Sequence, residues 1–213
     1  MFNNMKSLLL LLLATFATQV KEGRSCVYWA RVWTEPNYQG VYYEFNEDVP
    51  YLSSYNFDNT ISSIQVNGVW ILYNEPEYNT YQTSIVHWAW GLDKKENLHG
   101  TDNQISSLRY AGSQSKSNEA GYNLYAGEMF TKKDLYGTSD IPDLSQFHQE
   151  VKSVIIIGQS SWTFCEQANY SGRCVCMAAK QHDSNSLTRL DVGFYQRMSD
   201  YYMYNVTSVR KGC

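Results

Sequence analysis

The sequence predicts an all-β protein of two Greek key sandwich domains built from four Greek key motifs. Three observations carry this. The 213 residues include 18 Tyr and six Trp, and aromatic residues suit the pleated surface of a sheet. Short apolar runs at Ile64–Val66, Leu108–Tyr110 and Val154–Ile157 alternate with turn residues at close intervals. That is the spacing of a sandwich or barrel, not of a parallel sheet covered by helices. The third observation is duplication, which is sought before anything else because it sets the whole architecture. Arg31–Leu52 lies over Asn123–Leu144 without a gap, so that Trp33 falls on Tyr125, Tyr38 on Phe130, Asp48 on Asp140 and Pro50 on Pro142. A two-residue deletion sets Ser63 on Ser153 and Gly68 on Gly158; with the offset restored, Trp70 falls on Trp162 and Tyr78 on Tyr170. Near the ends, Ser106-Ser107-Leu108-Arg109 falls on Thr207-Ser208-Val209-Arg210.

In chain order, the first element is a leader. The chain opens Met1-Phe2-Asn3-Asn4-Met5-Lys6, runs from Leu8 to Leu13 without a break, and offers small residues at Thr15-Phe16-Ala17. A basic start, a short apolar run and a small-residue cleavage site make residues 1–17 a secretory signal peptide. The run falls well short of the roughly 20 apolar residues that a membrane span needs, and no later segment reaches that length. The expectation is an exported, extracellular protein without a membrane span. Loss of Lys6 takes the formal charge from −4 to −5. A mildly acidic chain with no basic cluster does not suit nucleic acid or an anionic membrane.

The first domain is read over residues 27–112. Trp33-x4-Tyr38-x-Gly40 is echoed by Tyr73-x4-Tyr78-x-Thr80, and each unit is followed by the same loop. Asp58-Asn59-Thr60-Ile61-Ser62-Ser63 and Asp102-Asn103-Gln104-Ile105-Ser106-Ser107 agree at five of six positions. Each packs a carboxylate, an amide and two hydroxyls around one Ile. Oxygen donors without Cys or His suit a hard cation such as Ca²⁺ rather than zinc. A lone copy would read as an Asx turn entering a strand; two copies at matched places in a repeat favour the cation. Helical signals are weak, with one turn expected over Leu92–Leu98. The polar stretch 113–120 reads as a linker.

The second domain is read over 121–213. It repeats the aromatic pairs, as Tyr125-x4-Phe130 and Tyr170-x-Gly172. Its loops differ: His148-Gln149-Glu150-Val151-Lys152-Ser153 and Met203-Tyr204-Asn205-Val206-Thr207-Ser208. The cysteines are Cys26, Cys165, Cys174, Cys176 and Cys213, and export makes disulfides the expectation. Five is odd, so at least one is free or pairs between chains. A hairpin through Asn169-Tyr170-Ser171-Gly172 would bring Cys165 near Cys174 or Cys176, while Cys26 and Cys213 stand at the two ends; the pairing stays open. A metal site at Cys174 and Cys176 lacks a second matching pair.

Asn169-Tyr170-Ser171 and Asn205-Val206-Thr207 are candidate glycosylation sequons, with Asn205 the better placed. The four histidines, His87, His99, His148 and His182, have no helical metal spacing, and no nucleophile elbow, His-Glu-x-x-His or phosphate loop occurs. The chain is therefore not expected to be an enzyme. The Tyr-rich stretch from Tyr195 to Tyr204 reads as core and edge strands, with a sugar-stacking or partner surface as the alternative.

These residues resemble the βγ-crystallin family across nearly all of the mature chain. The match is to its Greek key signature, aromatic-x4-aromatic-x-Gly followed by a Ser at the last strand, here Trp33, Tyr38, Gly40 and Ser63. Gly68-Val69-Trp70-Ile71-Leu72-Tyr73 is similar to the family's join between paired motifs. The departures are Thr80 and Lys132, which stand where the signature has Gly; Gly172 restores it. Calcium-binding members carry Asn/Asp-Asn/Asp-x-x-Ser/Thr-Ser, which both first-domain loops match. The resemblance implies two crossed loops sharing two sites, with the Ser62 and Ser106 hydroxyls each reaching the opposite loop's site. It further implies ligands from the Asn59 and Asn103 side chains, the Thr60 and Gln104 carbonyls and a hairpin backbone oxygen at Glu35 and Glu75. Asp58 and Asp102 then brace the loops and add charge. Lys152 would place a cation where a hydroxyl ligand belongs, so no calcium is expected in the second domain. The functional expectation is a secreted Ca²⁺-braced structural module, monomeric or homodimeric. The alternative is a secreted binding or defence factor, lectin-like, inhibitor-like or toxin-associated, with a protein or glycan partner.

Overall fold

The computed structural model describes residues 28–82, 84–147 and 150–213. The expected leader, Cys26, His148 and Gln149 lie outside the described residues. The first half contributes β1 (Trp29–Glu35), β2 (Gln39–Phe45), β3 (Ser63–Tyr73), β4 (Val86–Asn97) and β5 (Ser107–Ala111). They run in the order β2-β1-β3-β4, with β5 also on β3, all antiparallel. β3 and β4 are long because each serves both layers of the sandwich. The Ser63–Asn67 end of β3 pairs with β1, and its Val69–Tyr73 end pairs with β5. The two long strands bend together where Gly68 faces Gly91. Both glycines have positive φ, +98° and +143°, a conformation that a side chain would obstruct.

The second half repeats the plan with its layers separated. β6 (Gly121–Tyr125), β7 (Asp134–Gly137), β8 (Ser153–Ile157), β11 (Gln181–Ser184) and β12 (Arg189–Tyr195) form one sheet, ordered β11-β12-β8-β6-β7. β9 (Trp162–Gln167), β10 (Ser171–Met177) and β13 (Ser208–Lys211) form the other, ordered β10-β9-β13. One expectation is corrected. Residues 92–97 are not a helical turn but the end of β4, where Lys94 to Asn97 pair with Val66 to Ser63. Weak helical propensity yields to a strand partner already in place. Pro76–Asn79, here α1, is a tight turn in which Glu77, Tyr78 and Asn79 take left-handed φ values of 51°, 60° and 55°, and no helix among the described residues is long and apolar enough to cross a membrane.

One device closes every motif. Ser63 Oγ accepts from the Tyr38 N–H at 3.0 Å and donates to the Glu35 carbonyl at 2.8 Å. Ser107 does the same with Tyr78 and Glu75, Ser153 with Phe130 and Gly127, and Ser208 with Tyr170 and Gln167. The aromatic residue at each corner has a positive φ between 60° and 65°, a strained state that the hydroxyl and a ring partner hold in place. Trp33–Tyr38, Tyr73–Tyr78 and Tyr125–Phe130 pack edge-on at 5.5 to 5.6 Å. In the fourth motif Cys165 stands where the first aromatic ring would be and is bonded to Cys174 instead. At the positions lacking Gly, Lys132 takes the left-handed φ of 65° itself, whereas Thr80 turns to −66° at the end of α1.

Two disulfides are formed, Cys165–Cys174 across the β9–β10 hairpin and Cys176–Cys213 from β10 to the C-terminus. Cys174 and Cys176 are thus both committed, which removes the alternative of a Cys-x-Cys metal site. In the Tyr-rich stretch the strand ends at Tyr195, which is buried, and Tyr202 and Tyr204 beyond it are exposed.

Each sandwich has its own core: Phe45, Ile64, Trp70, Leu72 and Leu108 in the first, Leu124, Val154, Ile156, Trp162 and Phe164 in the second. The alternate residues face the other domain. Val69, Ile71 and Tyr73 of β3 meet Ile155, Ile157 and Val192 in a third cluster between the domains. Period-two alternation gives each strand two apolar faces here, which is why Val154–Ile157 reads as an unbroken apolar run. At the edge of this contact sits Arg109, 1% exposed. It donates to the Tyr73 hydroxyl (2.8 Å), the Phe130 carbonyl (2.6 Å), the Lys132 carbonyl (2.7 Å) and the Asp134 carboxylate (3.0 Å).

Candidate metal site

The repeated loops meet each other. Ile61 and Ile105 are fully buried and anchor them. Asn59 and Asn103 take left-handed φ values of 53° and 54°, which Asn tolerates better than most residues. The loops then exchange backbone bonds: the Asn59 N–H donates to the Ile105 carbonyl (2.9 Å) and the Asn103 N–H to the Ile61 carbonyl (3.0 Å). Each is also pinned to a hairpin, Ser62 N–H to the Trp33 carbonyl (2.9 Å) and Ser106 N–H to the Tyr73 carbonyl (2.8 Å).

This crossing brings oxygens together. Ser62 Oγ lies 3.0 Å from the Thr34 carbonyl oxygen and 3.3 Å from Asn103 Oδ1. Three oxygens therefore share one hydroxyl hydrogen. Ligand oxygens at 2.3–2.6 Å from a Ca²⁺-sized ion sit about 3 Å from one another, a spacing compatible with this hydrogen-bonded group of oxygens. Both Ser62 and Ser106 are 4% exposed, whereas Asp58, Asn59, Asp102, Asn103 and Gln104 are exposed and Thr60 is half-buried. The Thr60 and Gln104 carbonyls accept no backbone hydrogen bond among the described residues. Asp58 Oδ2 accepts from the Asn59 side-chain amide at 3.1 Å. The Glu35 and Glu75 carbonyls face Ser63 and Ser107, and it is the preceding Thr34 carbonyl that faces Ser62. One residue before Glu75, buried Asn74 Oδ1 has no partner among the described residues. Among those residues no cluster of three or more His, Cys, Asp or Glu side chains occurs; the donors here are hydroxyl, amide and carbonyl oxygens, a set that suits a hard cation.

The comparisons with known proteins agree with this architecture. The Beta/Gamma crystallin family model matches residues 30–111 and 122–211. The chain belongs to this family. It is 26% identical over 155 residues to gamma-crystallin S of Macropus fuliginosus, covering 70% of this chain and 82% of that protein. It is 32% identical over 146 residues to gamma-crystallin-1 of Xenopus laevis, covering 65% and 77%. Among solved structures, geodin, a beta-gamma crystallin from Geodia cydonium, superposes with a TM-score of 0.65 at 18% identity, over 87% of this chain and 99% of that one.

The second βγ-crystallin domain keeps the bonds that pin its loops to the hairpins but not the loop side chains. The Lys152 N–H donates to the Tyr125 carbonyl and the Thr207 N–H to the Cys165 carbonyl, as Ser62 and Ser106 do in the first domain. Lys152 Nζ turns to Glu150, 2.5 Å away. Sequence reasoning named the loop residues but missed Thr34 and Asn74. Their position directly after the first aromatic of each hairpin was the available signal, but a backbone carbonyl has no sequence signature.

Proposed function

We propose that this protein is an exported βγ-crystallin in which Ca²⁺ braces the first domain, a structural role rather than a catalytic one. The observation that carries the reading is the approach of the Ser62 hydroxyl to Asn103 Oδ1 of the opposite loop and to the Thr34 carbonyl. Ser62, Asn103 and Thr34 would hold one ion. Ser106, Asn59 and the hairpin at Asn74 would hold a second, with the Thr60 and Gln104 carbonyls as further donors. The bound charge would tie two loops and two hairpins into one unit, adding stability by mass action because the unfolded chain has no such site. The test is calorimetric Ca²⁺ titration of the full chain, with Ser62→Arg and Ser106→Arg as controls. Binding that each substitution abolishes at one site supports the proposal; heat that both leave unchanged refutes it. At free Ca²⁺ about 100-fold above Kd, each bound ion should add about 2.7 kcal/mol to the stability of the first domain, reversed by EDTA.

Export rests on the leader pattern and on the two disulfides. Both sequon residues, Asn169 and Asn205, are exposed, and a glycosidase-sensitive mass lost in Asn205→Gln would assign the glycan. One observation favours a second reading as a partner-binding factor: Tyr42, Tyr81, Tyr202 and Tyr204 are each more than 60% exposed, as residues at recognition surfaces often are. Silence on both a glycan array and a protease panel would remove it.

A further inference from the structure

A cavity of about 270 Å³ opens where the two domains meet beside the segment that connects them. Asp48 and Tyr110 line it from the first domain, and Asn123, Asp134 and Tyr136 from the second. Asn123 is 2% exposed, and its Oδ1 has no hydrogen-bond partner among the described residues. It stands on β6 between Tyr122 and Leu124, which point into the second domain's core, so its own side chain points out of that core. A buried amide oxygen without a partner is rare in native structures and calls for a bound ion, water or ligand.

The charges are also unbalanced. Two carboxylates face the cavity, and the guanidinium beside it, Arg109, is paired with Asp134 at 3.0 Å. Asp48 uses one oxygen to accept the Tyr110 N–H at 2.9 Å and forms no ion pair among the described residues. Solvent reaches one side of Asp48, but protein crowds the other. Asp140, its repeat counterpart, makes the same backbone contact, to the Lys211 N–H. The cap therefore explains one oxygen of Asp48 and leaves the other unassigned.

We propose that this cleft is a second cation site, distinct from the crossed loops, in which a hard cation is bound by the Asp48 and Asp134 carboxylates and the Asn123 amide oxygen. Carboxylate and amide oxygens are the donors such an ion prefers. The ion supplies the missing positive charge and the missing partner together, and its ligands come from both domains. The Arg109 charge keeps the site weak, with Kd about 10⁻³ M, the range of extracellular modules.

The probe is Tb³⁺, whose emission is excited through nearby tyrosines; Tyr110 and Tyr136 stand on the cavity wall. The full chain carries Ser62→Arg and Ser106→Arg to silence the crossed loops. The expected result is emission that Ca²⁺ displaces and that Asp48→Asn and Asn123→Leu each weaken at least tenfold. Asp48→Asn keeps the oxygen that caps Tyr110. If the double Arg chain does not fold, the parent chain serves, and each variant should lose part of the emission amplitude. No emission in a folded double Arg chain, or emission unchanged by both variants, overturns the proposal and identifies a water-filled cleft. Neither outcome touches the crossed-loop reading, which rests on other residues.

Discussion

Ser62 and Ser63 are adjacent, both buried and chemically identical, yet their hydroxyls face different partners. The Ser63 hydroxyl closes a backbone corner between the Tyr38 N–H and the Glu35 carbonyl. Ser63→Ala should therefore cost about 1–3 kcal/mol by leaving two backbone groups unpaired, whether or not Ca²⁺ is present, as read from urea midpoints. Ser62 instead faces two acceptors with one hydrogen, so Ser62→Ala should change the metal-free stability little and weaken Ca²⁺ binding at least tenfold in calorimetry. The corner role of Ser63 was legible in the sequence because the pair recurs at 106–107 while only the second Ser persists at 153 and 208. Thr34 was not legible, because any residue type supplies a carbonyl and only the path of the hairpin aims it.

At the level of elements, the two disulfides differ in what they constrain. Cys165–Cys174 spans nine residues of a hairpin that β9 and β10 already pair, whereas Cys176–Cys213 spans 37 and ties the C-terminus to β10. On the chain-entropy account the longer closure is worth about 4 kcal/mol and the shorter about 2.5 kcal/mol. Cys176→Ser with Cys213→Ser should therefore lower the urea-derived stability more than Cys165→Ser with Cys174→Ser, apart from the packing cost at buried Cys165. The connecting segment is docked too. Asn118 exchanges hydrogen bonds with Asp191 of β12 at 2.7 and 2.9 Å, and Arg189 holds the same carboxylate. The Arg189 bonds first, and then Asn118, lower the Asp191 pKa below 3.8. A carboxyl with a depressed folded-state pKa adds stability above its unfolded value and loses it as pH falls through the folded one. The parent chain should thus lose stability below about pH 4 more steeply than Asp191→Asn, as measured by urea midpoints across that range.

Across the whole molecule, one guanidinium bridges the contact between the domains. Arg109 reaches from β5 to two carbonyls and a carboxylate of the second domain and lies 4.7 to 5.2 Å from the rings of Tyr73, Tyr78 and Tyr125. Burial works against its charge, and the Asp134 carboxylate with the Tyr73 hydroxyl and two carbonyls that accept its N–H groups more than offset that, so it stays protonated. Replacing it takes their donor from the Asp134 carboxylate and the Lys132 carbonyl, while the Phe130 carbonyl keeps the Tyr73 hydroxyl. Arg109→Met should cost about 3–5 kcal/mol and split a single calorimetric transition into two as the domains uncouple. A single transition at the parent temperature would show that the apolar contact of Val69 and Ile71 with Ile155 and Val192 suffices without it.

Local chemistry wrote the motifs into the chain. An aromatic pair, a turn, a Ser and an oxygen-rich loop act over a few residues, so the repeated corners and both loops could be read from spacing and residue type, while their crossing was what the family resemblance implied. Docking acts over the whole chain and leaves no such mark. Arg109 and Arg210 occupy the same repeat position, yet the first is 1% exposed between two domains and the second is open to solvent. The same holds for Asp48 and Asp140, which cap equivalent strands while one of them alone lines the cleft. A repeat can specify each sandwich twice over, but the surface each sandwich buries depends on which faces meet, and that is set by the summed fit of many distant side chains.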